Sequence, residues 1–339
     1  MNASRILVVG GYGAVGSSVA AELGRLYPGR VWVGGRDPRR ARPAPGVAGA
    51  LRVDVADVAG FGRLLDRERI AVVVMCVEPA GADAVSACVG RGVHVVDLGA
   101  SDERLALIEA VDAGSATVIL SVGLAPGITN LLARRASERL GGAEYVDIAI
   151  MLGAGERHGR EAVRWTVRGL AAPASGTARI KVGLPGIGRR TAYPFPFSDQ
   201  HTLRRTLGVD RVTTRLCLES EALGAALFGA RKLGVFRLAR QRRGEELLTG
   251  VLHGAHLGGT DAFAVRVDAR RGRRRVACGM SGHNQSRMTA RVAVEVMRLL
   301  EEGALPPGVQ HIDQVPVLAE IPDRLAGAGT TSWTFDETA

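Results

Sequence analysis

Apolar residues fall in short blocks through the first third of the chain, with stretches of helical spacing between them. Residues 6–9, 31–34, 50–53, 71–77, 93–98 and 117–122 read as strands, each a mostly aliphatic run bounded by turn residues. Residues 17–26, 56–65, 81–91 and 102–113 place apolar side chains three and four apart and read as helices. Strands this apolar are buried on both faces. Their alternation with helices predicts an α/β Rossmann domain, a doubly wound parallel sheet, over residues 1–125.

The pattern then changes. Residues 145–152 and 212–218 alternate as half-buried strands do, 178–182 is a short strand, and 262–269 with 274–280 read as a hairpin. Residues 160–171 and 221–240 read as helices, and a Pro/Phe loop occupies 193–197. This mixture predicts an α+β substrate and dimerisation domain over 126–283, an open mixed sheet plus helices. A strong helix at 288–302 ends at Gly303, and the segment 284–320 is expected to return to the first domain and complete it. The Gly/Ala/Thr-rich stretch 325–339 reads as a loose tail.

A length of 339 residues supports two domains. No run of apolar residues is long enough for a membrane span, and the first residues lack a signal-peptide pattern, so no membrane partner is expected. Four cysteines without close spacing point to reduced thiols and a cytoplasmic protein. The net charge of +10 raises the question of nucleic acid, but aromatic content is 4% and no nucleic-acid motif appears. The excess arginine fits solvated basic faces and attraction of a phosphate-bearing cofactor and an anionic small-molecule substrate.

Chemistry enters at the first strand-to-helix junction. Gly11, Tyr12, Gly13, Ala14, Val15 and Gly16 form G-x-G-x-x-G after a strand and before a helix, the context a dinucleotide pyrophosphate needs. Free N–H groups at the helix start would hold the anion. About 20 residues on, where NAD enzymes place an acid, the chain reads Val33-Gly-Gly-Arg36-Asp37. A guanidinium there binds phosphate as a planar fork, so Arg36 points to NADP; the alternative places Asp37 on the ribose and makes the cofactor NAD. Asp54, after the third strand, is placed either at the adenine or as a turn cap. Cys76 and Val77 end a strand at the sheet edge where open α/β folds bind ligands. Gly123, Pro126 and Gly127 form a stiff turn after the sixth strand, placed to press on the nicotinamide.

Four segments together resemble the saccharopine reductase-like family of NADP-dependent oxidoreductases, which includes saccharopine and carboxynorspermidine dehydrogenases. They are the glycine run with Val33-Gly-Gly-Arg36, Val73-Val-Met-Cys-Val-Glu-Pro79, Val93-His-Val-Val-Asp-Leu98, and Gly123-Leu-Ala-Pro-Gly-Ile-Thr-Asn130. The resemblance implies NADPH-dependent reduction of an imine formed from an amine or amino acid and a carbonyl compound, or the reverse. It also implies a homodimer. Reduction of a ketone or enoyl group in a lipid or natural-product pathway keeps the same fold, and a non-catalytic NADPH sensor or scaffold is the reading outside enzymes.

The residues available for proton transfer are few. His158, on a loop between a strand and a helix, titrates in the useful range; its bland role is a solvent-exposed neighbour of a helix start. His283 joins the hairpin to the return helix. Glu78 and Asp97 end strands at the ligand edge, where either could hold an amine or a water. His201, His253, His256 and His311 show no ligand spacing, so no metal is expected.

Overall fold

The computed structural model describes residues 4–42, 44–156, 159–173, 178–254, 258–327 and 329–338. Two compact units divide the chain: Met1–Leu131 with Ser286–Leu325, and Leu132–Gln285 with Ala326–Ala339.

The first unit opens with β1 (Arg5–Val9), α1 (Ala14–Leu26), β2 (Val31–Gly35) and β3 (Val47–Arg52). It continues through α2 (Val58–Arg67), β4 (Ile70–Met75), α3 (Asp83–Val89), β5 (His94–Asp97), α4 (Asp102–Glu109) and β6 (Thr117–Leu120). Helix α5 (Thr129–Leu140) leads into the second unit.

There the chain forms β7 (Tyr145–Leu152), α6 (Arg160–Ala171), β8 (Ile180–Leu184), β9 (Gly188–Pro194), α7 (Asp199–Thr206) and β10 (Arg211–Leu218). Next come α8 (Glu221–Lys232), a 3-10 segment (Val235–Arg240), α9 (Arg242–Gly254), and the hairpin β11 (Ala262–Arg271) and β12 (Arg274–His283). Helix α10 (Gln285–Glu301) and β13 (Gly308–His311) close the first unit, and β14 (Thr331–Thr338) belongs to the second.

The first sheet has the order β13-β6-β5-β4-β1-β2-β3 and is parallel throughout. Its strand order reverses beside β1, between β1 and β4, which creates the crevice where such sheets take ligands. The core on one face is aliphatic, with Leu7, Val73, Val95 and Val118 fully buried beneath Phe61, Leu105 and Ile108. The last strand, β13, escapes the hydrophobic pattern because it is short and follows Pro306-Pro307. It is fixed instead by His311, buried, whose Nδ1 lies 2.8 Å from Ser121 Oγ and whose Nε2 lies 2.8 Å from Glu109 Oε1.

The second sheet has the order β14-β12-β11-β7-β10-β9-β8. Strands β7 and β10 are parallel and every other pairing is antiparallel, so the sheet is mixed. The β8–β9 hairpin curls over: Arg266 Nη1 on β11 donates to Gly183 O on β8 at 2.9 Å. This encloses a small-residue core of Ala149, Met151, Val182, Ala192, Cys217 and Ala264. Cysteines 76, 88, 217 and 278 are all free thiols.

Three expectations need correction. The tail is not loose: Thr331–Thr338 pairs antiparallel with β12, with Trp333 opposite Gly279. The Gly/Ala/Thr composition hid an alternating Thr331, Trp333, Phe335 face, and the Trp333 ring fills the space a side chain at Gly279 would occupy, under the Arg266 guanidinium 5.8 Å away. The helix expected over 221–240 stops at Lys232, because Gly234 turns left-handed at φ +84°, and α9 then follows unforeseen. The Pro/Phe stretch is partly strand, and Phe195 and Phe197 pack on Trp165 with centroids 5.2 and 5.3 Å apart.

Candidate functional site

The crossover from β1 to α1 is built for an anion. Gly10 N donates to Gly34 O and Gly13 N to Gly10 O at 2.8 and 2.9 Å, which folds the turn back on itself. Gly10 itself, outside the motif read from sequence, sits at φ +81°, with Val77 and the Cys76 carbonyl filling the space beside its Cα. Gly13 is the extended N-cap of α1 and carries no side chain to cap it. The N–H groups of Ala14, Val15 and Gly16 open the helix and have no intrahelical acceptor, so they face outward with the positive end of the helix dipole. Gly16 is buried against the turn: a Cβ there would meet Gly10 O, and would lie 2.8 Å from Gly10 C and 3.0 Å from Gly11 Cα.

The end of β2 decides between the two nicotinamide nucleotides. Asp37 is occupied: its carboxylate caps the 3-10 turn after it, accepting from Arg39 N at 3.2 Å, and pairs with Arg39 Nε at 2.9 Å. The hydrogen bond from Arg39 holds its carboxyl below the usual carboxylate range. Arg36 is exposed and has no acidic partner among the described residues. The Tyr12 ring lies over Gly35, and its hydroxyl donates to Leu51 O at 3.1 Å, joining the glycine turn to β2 and β3. Asp54 is a turn cap, accepting from Ala56 N at 3.1 Å.

At the carboxyl edge of β4 and β5 the carboxylates are tied into the fold. Asp97 is 0% exposed and receives Arg104 Nη1 at 2.9 Å, Arg104 Nη2 at 2.6 Å and Gly99 N at 2.8 Å. Its expected role with an amine or water is therefore corrected: it is a structural anion, paired with a guanidinium that is itself 5% exposed. Glu78 is exposed, and its Oε1 accepts from Ala100 N and from Ser101 N, the latter at 2.9 Å. Burial, with Asp97 nearby, pushes the Cys76 thiol up. After β6, the turn through Gly123, Pro126 and Gly127 is held by Leu124 N on Thr289 Oγ1 at 3.2 Å and Gly127 N on Asn130 Oδ1 at 3.0 Å. Thr129 and Asn130 are fully buried there.

The second unit contains a cavity of about 370 Å³ on the inner face of its curled sheet. Met151, Ala262, Ser281 and Thr331 form its floor, and Gly186 and Ile187 of the β8–β9 turn lie over it. Arg190, Glu219, Thr260 and His283 bring the chemistry. Arg190 Nε is buried without a hydrogen-bond acceptor, and no carboxylate among the described residues pairs with this guanidinium. Glu219 accepts from Thr260 N at 2.8 Å and Thr260 Oγ1 at 3.1 Å. His283 Nδ1 lies 2.7 Å from Asp261 Oδ1. An ionised carboxylate only accepts, so Nδ1 is the donor in this bond.

Residues 6–119 match the family described as the saccharopine dehydrogenase NADP binding domain. The match covers the first unit's nucleotide-binding segment, about a third of the chain. The chain's fold is similar to that of apo saccharopine dehydrogenase (L-Glu forming) from Saccharomyces cerevisiae, with a TM-score of 0.64 and 13% identity over 98% of this chain and 100% of that one. Bordetella bronchiseptica WbmG, solved with NAD and UDP, matches 27% of this chain and 36% of its own at 20% identity and a TM-score of 0.23. Thermus thermophilus UDP-glucose 4-epimerase, solved with NAD, matches 27% and 36% at 23% identity and a TM-score of 0.22. No curated protein matches the chain.

NADP is the cofactor that this domain match supports, and the residues of the first unit fit it: a glycine turn with no room for a Cβ, an uncapped helix start, and an unpaired Arg36 beside an occupied Asp37. Among the candidates for proton transfer, His283 lies in the second unit's cavity, whereas Glu78 and Asp97 belong to the network around Ala100 and Arg104 in the first. His158 lies outside the described residues. Arg190 and Glu219 escaped the sequence reading. Their only signal was a charge inside an alternating strand and one just past the end of another. No group of three or more His, Cys, Asp or Glu side chains among the described residues is placed to hold a metal ion.

Proposed function

We propose that the chain uses NADP(H) to act on a C–N bond, reducing an imine formed from an amine or amino acid and a carbonyl compound, or running the reverse oxidation. The observation that carries this reading is the composition of the second unit's cavity: a guanidinium with no carboxylate partner among the described residues, a carboxylate and a carboxylate-oriented imidazole together. Bound NADPH supplies the hydride. The chain's own residues do the rest. Arg190 pairs with a carboxylate of the substrate. Glu219 favours a cationic nitrogen over a neutral carbonyl oxygen, which is why an imine fits better than a ketone or enoyl group. His283, oriented by Asp261, takes or gives a proton at Nε2.

Turnover followed by NADPH absorbance, comparing amine-plus-carbonyl pairs with ketones and enoyl compounds, tests the bond type. Oxidation with ketones alone would overturn it, and tight NADPH binding with no acceptor at all would favour a sensor or scaffold. Replacing His283 with alanine is expected to lower turnover roughly 100-fold or more while NADPH affinity holds; unchanged turnover removes its role. Arg36→Ala is expected to weaken NADPH binding about 10- to 100-fold and leave NADH binding nearly as it was, since a charge-assisted contact to the extra phosphate is all that separates the two. Equal losses for both would refute the assignment of Arg36 to the extra phosphate. The same reading carries a homodimer, checked by the mass in solution.

A further inference from the structure

The helical segment after β10 exposes aliphatic side chains that globular surfaces normally cover. Leu233 is 86% exposed, Leu238 58%, Leu247 63% and Val251 62%, and Val235 joins them. Leu247 and Val251 are four apart on α9 and share a face, with Gly244 one turn earlier on the same stripe. Leu238 Cβ lies 3.2 Å from where a Gly244 Cβ would be, so Leu238 extends that stripe.

Cations surround it. Lys232, Arg237, Arg240, Arg242 and Arg243 are exposed and have no acidic partner among the described residues. The acids of α9 engage α6 instead: Glu245 takes Arg168 at 2.8 Å, and Glu246 takes Arg160 at 2.7 Å and Arg164 at 2.8 Å. Helix α9 therefore separates its chemistry, acids paired with α6, and aliphatic and basic side chains in solvent.

The occupant follows from charge and shape. A second copy would bring the same cations face to face, which opposes docking. A protein partner's anchors sit in pockets, and none of these residues lines the cavity described above. An anionic bilayer needs no pocket: it takes Leu and Val side chains at the acyl boundary while phosphates meet the arginines. We infer that residues 232–251 dock peripherally on an anionic lipid surface. The expectation of no membrane partner rested on the lack of a span; among the described residues no helix is long and apolar enough to cross a membrane, but a helix lying in the interface needs no such length. The inference is independent of the reaction proposed above.

Co-sedimentation of the full chain with vesicles tests it. Binding to phosphatidylglycerol-containing vesicles is expected, with little to pure phosphatidylcholine and a marked loss at high salt. Arg240→Glu with Arg243→Glu, and separately Leu247→Asp with Val251→Asp, should each lower partitioning roughly tenfold or more. NADPH titration of each variant should match the unaltered chain and so report that the fold is kept. No sedimentation with anionic vesicles, or variants that sediment as well as the unaltered chain, overturns the inference. So does a solution mass that falls from dimer to monomer in the Leu247→Asp, Val251→Asp variant, which would make this face a contact between copies.

Discussion

Replacing Gly16 with valine is expected to abolish measurable NADPH binding. The added Cβ would press on Gly10 O, Gly10 C and Gly11 Cα, all backbone atoms of the turn we propose as the diphosphate site. Backbone cannot rotate aside as a side chain can, so α1 must move away from β1 or the turn must open. Either movement takes the N–H groups of Ala14, Val15 and Gly16 off the diphosphate, where alignment gives the helix start its affinity. Overpacking of this kind also costs about 1–3 kcal/mol of stability. Gly13→Ala is the graded comparison: its Cβ would meet only Gly10 O, at 3.3 Å, and a partial loss is expected. Fluorescence titration with NADPH, beside a thermal melt to confirm folding, reads both. A folded Gly16→Val chain that binds NADPH normally would remove the diphosphate from this turn.

Cutting the Asp97–Arg104 pair is expected to cost about 3–5 kcal/mol of stability, because the survivor is a charge enclosed without a partner. Both side chains are buried and two bonds of 2.6 and 2.9 Å join them. Asp97→Asn and Arg104→Ala should therefore lower the urea midpoint sharply. Replacing both together, Asp97→Leu with Arg104→Met, should recover much of the loss, since no lone charge remains. A catalytic carboxylate behaves in the opposite way. If Asp97→Asn kept the urea midpoint and removed turnover, the aspartate would return to the reaction.

The nucleotide-binding half was legible because its demands are local. The glycine spacing, the apolar strands and the Arg36-Asp37 pair all lie within short windows, and the physical reasons for each residue act inside the same window. Asp97 was misread because its partner sits seven positions on, where Arg104 looks like an ordinary helix-surface cation. The cavity of the second unit was illegible for a different reason. Arg190 and Glu219 line one cavity only because β9 pairs with β10 and the β8–β9 hairpin curls over the sheet, and strand order cannot be read from alternation alone. The exposed stripe on α9 was hidden too, since 221–240 looked like one continuous amphipathic helix and gave no hint that a second would follow Gly234.

The route of the chain has a consequence for its biosynthesis. It leaves the first unit at α5, builds most of the second, returns with α10 and β13, and only then supplies β14 to β12. On the ribosome, the outer edge of β12 must wait, unpaired, until some fifty further residues have emerged. An unpaired edge is a template for intermolecular pairing. Translation that stalls between codons 284 and 331 should therefore yield nascent chains unusually dependent on chaperones.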